Sequence, residues 1–200
     1  MKFKLVAFLP LVALPLLACA SGDSTVQRDT ADFFTRLSQG YRIEVKEQAP
    51  LDVMWTFSAR ENEFQRFADL ERISWPRQIA KLTGSIMRNK GVMDGPLFLY
   101  FPIDKGEPDG DLRLCQPVET LITPGKDVKP LSLPRTKVIQ TIHRGKRSSL
   151  GTAYRALEKF AREEGLPLSG MASWQVIRGA MDAEHTSDYL TRVQLYVRQG

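Results

Sequence analysis

A set of aromatic side chains and a few arginines carry most of the binding chemistry this 200-residue sequence can offer. On its strand-like runs stand Trp55, Phe57, Phe98, Tyr100, Phe101, Trp174 and Tyr196. Phe57, Phe98 and Phe101 suit a hydrophobic core. Trp55, Tyr100, Trp174 and Tyr196 each join a large ring to a polar edge, which suits a groove that is partly dry and partly wet. Tyr154, on a helical run, fits either a groove wall or a cover for the sheet. Arg113, Arg178 and Arg192 lie on strands; the default for such residues is solvent or an acidic partner, and any that face a groove favour a neutral or acidic ligand. Arg178 is included with the groove candidates. Of the two histidines, His143 ends a strand just before Arg144-Gly145 and suits a turn in which the ring bonds the backbone, whereas His185 falls in a polar loop. There is no His-Glu-x-x-His, no Gly-x-Ser-x-Gly and no cysteine pair, so neither a metal site nor a serine nucleophile is signalled. GKRSS matches a phosphate loop only at its Gly-Lys, because Gln140 stands where the upstream glycine would be. No catalytic residue, metal ligand or cofactor is expected.

The cysteines speak to location. MKFKLVAFLPLVALPLLAC has two early lysines and then an apolar run that holds Pro10 and Pro15 and is too short to span a bilayer comfortably. It reads as a secretory signal over residues 1–18. Its end, Leu16-Leu17-Ala18-Cys19, resembles the lipobox of bacterial lipoproteins, which implies cleavage before Cys19 and a lipid on its thiol. Cleavage after Ala18 or Ala20 to give a soluble secreted protein is the alternative. The only other cysteine, Cys115, sits in the apolar run LRLCQPV and is expected to be buried and free. Ala20 follows the cysteine where aspartate would signal inner-membrane retention, so the resemblance implies a periplasmic protein anchored in a Gram-negative outer membrane. Two of the 28 basic residues leave with the signal, so the formal charge falls from +5 to about +3. With its basic residues scattered, the chain shows no nucleic-acid footprint and no polybasic lipid patch. A membrane partner enters only through the lipid anchor.

These residues need a scaffold. Residues 19–40 are polar and suit a tether, with Phe33, Phe34 and Leu37 able to form one apolar helical turn before Gly40. From Tyr41 the pattern is regular: alternating runs YRIEVKE and LDVMWTFSA, a helical region from about Glu63 to Lys90 broken near Ser74-Trp75 by Pro76, then strands GPLFLYFPI and DLRLCQPV. After the turn-rich TPGKDVKPLSLPR come the strand KVIQTIH, a helix over Ser148 to Glu164 ended by Gly165, and the strands SWQVIR and LTRVQLYVR. Two strand-helix-strand-strand units follow, about 41–118 and 131–198, with Gly91 matching Gly165 and Arg113 matching Arg192. The expected class is α+β: an antiparallel sheet with helices on one face, a pseudo-twofold duplication, and a ligand groove between the halves, lined by the uncovered faces.

The stretch LPRTKVIQTIHRGKRSSLGTAYRALEKFAREEGLPLSG, with His143, Gly145, Tyr154, Gly165 and Gly170, resembles the GyrI-like small-molecule-binding domain, also met as the effector-binding module of AraC-type and MerR-type regulators. The likeness runs from about Tyr41 to Arg198. It implies a pseudo-twofold domain with a ligand groove between its halves. Many members of that family carry a glutamate in the strand after the second glycine link, where it draws cationic aromatic molecules. Here that strand is ASWQVIRG, and Trp174 stands at or beside the glutamate position. The expected ligand is therefore a small, largely apolar or aromatic molecule, neutral or weakly acidic, although a tryptophan face can also hold a cation.

The resemblance also opens three alternatives. Some GyrI-like proteins resemble hydrolases of reactive natural products, which rely on a groove glutamate and a tyrosine; loss of the glutamate counts against catalysis here. Haem or tetrapyrrole binding, as in SOUL proteins, would need an axial ligand that the sequence does not place. A scaffold without a ligand is the third.

Overall fold

In the computed structural model, described for residues 36–38, 40–59, 64–123, 125–126, 128–179 and 184–199, the strands and helices follow the sequence pattern closely. The signal segment 1–18, Cys19, and Phe33 and Phe34 lie outside the described residues. The chain runs β1 (Arg36–Ser38), β2 (Tyr41–Gln48), β3 (Leu51–Ala59), a 3-10 turn (Phe67–Arg72), α1 (Trp75–Arg88), β4 (Phe98–Asp104), β5 (Glu107–Pro108), β6 (Leu112–Pro117), β7 (Lys129–Leu133), β8 (Thr136–Arg144), a short 3-10 turn (Arg147–Ser149), α2 (Leu150–Glu163), β9 (Leu168–Arg178) and β10 (Leu190–Val197).

The helical region splits where proline requires it. Ser74 occupies the N-cap position of α1 and Pro76 falls in its first turn, where a missing N–H costs nothing, so the 3-10 turn must stop at Ile73. Both helices end in the same backbone motif. In α2, Gly165 adopts φ +65°, its N–H bonds Arg162 O, and Leu166 N–H reaches Ala161 O at 2.8 Å. In α1, Lys90 takes φ +58°, its N–H bonds Met87 O at 3.0 Å, and Gly91 N–H reaches Ile86 O at 2.9 Å. Lys90 is thus the counterpart of Gly165, one residue before the glycine the sequence pattern had matched. Gly91 is small for another reason: a Cβ there would come within 2.8 Å of Ile86 and 2.9 Å of Ile122.

Nine strands form one sheet in the order β1-β2-β8-β10-β9-β4-β6-β3-β7, and β5 pairs with β4 beside that path. Every pairing is antiparallel. Read outward from the β9–β4 seam, the order is symmetric: β10 answers β6, β8 answers β3, and β2 answers β7. α1 packs on β3 and β6, and α2 on β10 and β8, so both helices cover the same face. Three strands escaped the sequence reading. Leu37 extends a strand along β2 rather than turning into a helix. The two-residue β5 is too short to carry a pattern. β7 lies inside the passage taken for turns, and its Pro130 is tolerated because β7 is an edge strand with no neighbour on one side.

The core lies between helices and sheet. Leu112 and Leu114 of β6, Val193 and Leu195 of β10, Leu99 and Phe101 of β4, and Ala172 and Trp174 of β9 all face it. At its centre Phe67 stacks on Tyr154 with centroids 5.2 Å apart, and Phe101 meets both edge-on at 5.9 Å. Rings so buried contribute about 1.5–3 kcal/mol each by burial alone, and this cluster ties the first half, through Phe67 and Phe101, to α2 in the second.

Candidate functional site

Strand parity divides the sequence-derived candidates between the two faces of the sheet. Trp174 pairs with Val193 on one side and Leu99 on the other, so it shares their direction and faces the helices. Tyr100 pairs with Ser173 and Arg113, and Trp55 with Cys115; these face away from the helices, as does Tyr196 on β10. Trp174 and the set of Trp55, Tyr100 and Tyr196 therefore belong to different surfaces and do not share the single groove expected on the uncovered face. Arg178 ends β9 in an exposed position and joins neither. Tyr154 is fully buried on α2, where its hydroxyl donates to the Ser173 carbonyl at 2.7 Å and burial holds the phenol far above its usual range. It covers the seam.

On the helix face a cleft of 280 Å³ opens between α1 and the turn that starts α2. α1 supplies Trp75 and Ile79, the approach to β4 supplies Pro96 and Leu97, and the turn supplies Arg147. Its sheet side is formed by Leu114, Trp174 and Val176 together with Phe98 and Leu99. Trp174 is 3 % exposed, and Trp75 meets it edge-to-face with centroids 6.1 Å apart. The Trp75 Nε1–H is satisfied by the Leu70 carbonyl at 3.1 Å, whereas the Trp174 Nε1–H is buried with no partner. Arg147 holds its guanidinium carbon 5.8 Å from the centre of the Trp174 ring. Trp174 thus lies in a lined cleft, and the charge beside it is positive.

The uncovered face carries a belt of rings and cations. Tyr196 meets Tyr100 edge-on at 5.3 Å, Arg113 lies 5.0 Å over the Trp55 ring, Lys129 lies 5.7 Å from the same ring, and Phe57 abuts Trp55 at 4.9 Å. Burial pushes the Tyr100 hydroxyl upward and the neighbouring Arg113 partly offsets it. Burial also raises Tyr196 and Cys115. The expectation of a free, buried Cys115 holds. A chain of hydrogen bonds crosses this face. Tyr196 donates to Ser173 Oγ at 3.2 Å, Ser173 to Gln194 at 3.0 Å, Gln194 to Gln140 at 3.1 Å, and Gln140 to Glu44 at 3.2 Å. Arg113 and Arg192 both point to this side, as their matched positions in β6 and β10 require, and the Nε of each is buried without a partner.

His143 is a structural histidine. One ring nitrogen lies 2.9 Å from the Tyr41 hydroxyl, and the other lies 3.0 Å from Ser149 Oγ and 3.3 Å from the Lys146 carbonyl. Ser149 donates its own proton to that same carbonyl at 2.7 Å, so the group closes the turn before α2. Among the described residues no cluster of three or more His, Cys, Asp or Glu could hold a metal ion. Of the lining residues only Trp174 was a groove candidate in the sequence; Arg147, Trp75, Ile79 and Leu97 are among those that sequence reasoning missed. Only the parity of β9, read together with Val193 and Leu195, could have turned attention to the helix face.

No protein-family model matches the sequence, and no curated protein matches it. Solved structures do share its fold. The C-terminal domain of EcmrR superposes with a TM-score of 0.63 at 19 % identity, over 80 % of this chain and 99 % of that domain. The EcmrR chain in a complex with DNA gives the same score, and this chain spans 58 % of it. A hydrolase encoded by lin2189 from Listeria innocua superposes at 0.51 and 12 % identity, over 78 % of this chain and 91 % of that one. At these identities the likeness is one of fold.

Proposed function

We propose that this chain is a small-molecule-binding protein, held at the outer membrane of a Gram-negative envelope by a lipid on Cys19, with its ligand in the cleft over Trp174. The observation that carries the binding reading is the cleft itself: an apolar, ring-lined hollow with two polar groups, lined by Trp174, which opens on the helix face and not in the groove that the resemblance implied on the uncovered face. The fold shared with the EcmrR C-terminal domain supports it. The hydrolase reading has a neighbour of that description in Listeria innocua, yet the cleft lining contains neither a carboxylate nor a tyrosine to move a proton.

Native mass spectrometry of protein purified from its own envelope tests the binding reading, because a retained small molecule separates a binding protein from a scaffold. Cys19→Ser tests the anchor. The variant is expected in the soluble fraction, and unchanged membrane association without an N-terminal lipid would refute that part of the proposal.

A further inference from the structure

Resting on the reading of the cleft as a ligand site, we infer that its ligand is an aromatic carboxylic acid of one or two rings, with the acid group at Arg147 and the ring system against Trp174. Three observations combine. First, the side chains lining the cleft offer hydrogen-bond donors only. Trp75 has given its N–H to Leu70 and the Trp174 Nε1–H is buried, which leaves the Arg147 guanidinium as the polar side-chain group open to the cleft; the remaining lining side chains are apolar. A donor at the edge of an apolar hollow is matched by a molecule that brings an acceptor. Second, the cation is unspent. Among the described residues no carboxylate forms an ion pair with Arg147; the acids paired by neighbouring basic residues, Asp188 with Arg144 and Glu107 with Arg155, lie elsewhere. A guanidinium is a planar fork suited to two-point contact with a carboxylate.

Third, the same arginine closes the route by which a tryptophan pocket would take a cation. Its guanidinium already stands over the Trp174 ring, where a bound ammonium would have to sit, and it repels one. The volume of 280 Å³ falls slightly below the range for drug-sized ligands and suits a naphthalene-sized molecule. Where a glutamate and an aromatic wall would select cations, an arginine over a tryptophan ring selects acids of the same shape.

The test uses the full chain solubilised from its membrane in detergent, titrated calorimetrically with naphthalene-2-carboxylate, naphthalene-2-carboxamide and naphthalen-2-ylmethylammonium. The carboxylate is expected to bind about ten- to a hundred-fold more tightly than the amide, the span of one charge-assisted hydrogen-bonded contact, and the ammonium more weakly than either. Arg147→Gln should bring the carboxylate to within a few-fold of the amide, and Arg147→Lys should keep part of the preference. Trp174→Phe should weaken carboxylate and amide alike. Arg147 is partly exposed, so its variants keep the test sound even where Trp174→Phe disturbs folding. Ammonium binding as tight as carboxylate, or a carboxylate preference untouched by Arg147→Gln, overturns the assignment and leaves a ligand cleft standing. No binding of any of the three at millimolar concentration removes the acid assignment and the cleft reading together.

Discussion

His143 makes the stability of the fold depend on pH in one direction. Burial lowers its pKa below the ordinary 6.5, and its hydrogen bond to the Lys146 carbonyl offsets only part of that. The unfolded chain therefore binds the proton more readily than the folded one once the pH drops below about 6.5. Stability should be flat with respect to this group above that value and decline as the pH falls toward the folded pKa. Denaturant midpoints measured from pH 7.5 to 5 should show the decline, and His143→Gln should remove it, the comparison of the two proteins cancelling the titration of other groups. A decline identical in the variant would assign it elsewhere. His143 was legible as a turn histidine because it stands at a strand end before a glycine. Trp174 and Tyr154 were harder. Each has a polar edge that suits a groove; only the pairing of β9 with Val193 and Leu99 shows that Trp174 looks toward the helices, and only the packing of α2 shows that Tyr154 looks back at the sheet, with its hydroxyl on the Ser173 carbonyl. Residue type indicates what a side chain can do, but the face it lies on depends on register, which two-residue periodicity leaves open by one step.

The helix ends show the same limit at the scale of an element. Matching Gly91 to Gly165 was reasonable from sequence, since glycine is the usual residue in a left-handed cap, but the α1 cap places Lys90 there at φ +58°. A side chain in that conformation costs about 1 kcal/mol. Lys90→Gly is expected to stabilise the protein by about that amount, and Gly165→Ala to destabilise it by a similar amount. Gly91→Ala should cost about 1–3 kcal/mol through overpacking against Ile86 and Ile122. Urea unfolding of the three variants checks all of this, and equal effects at Lys90 and Gly91 would contradict the assignment of the cap. The helices themselves were readable from apolar stripes, the break at Ser74 from Pro76, and most strands from alternation. β7 was missed because a strand at a sheet edge bonds on one side only and so accepts a proline that would disqualify an interior strand.

For the whole molecule, the sheet order implies that the halves do not fold apart. The two units meet along β9 and β4, where Leu99 pairs with Trp174 and Phe101 with Ala172, and Phe101 packs on Tyr154 of the opposite half; they also exchange outer strands, β2 pairing with β8 and β7 with β3. Each half alone would expose that seam and half of the aromatic cluster, so neither encloses a core. Unfolding should be one transition. Three probes should share one urea midpoint: far-UV ellipticity for both halves, labelling of the buried Cys115 for β6 in a Cys19→Ser background, and Trp174 fluorescence with Trp55 and Trp75 replaced by Phe for β9, each read on that same variant. Phe101→Ala should lower stability by about 3–5 kcal/mol and keep the midpoints together. A Cys115 that becomes reactive at clearly lower urea than Trp174 changes would show that the halves open independently, and the cleft over the seam would then be a hinge rather than a fixed pocket.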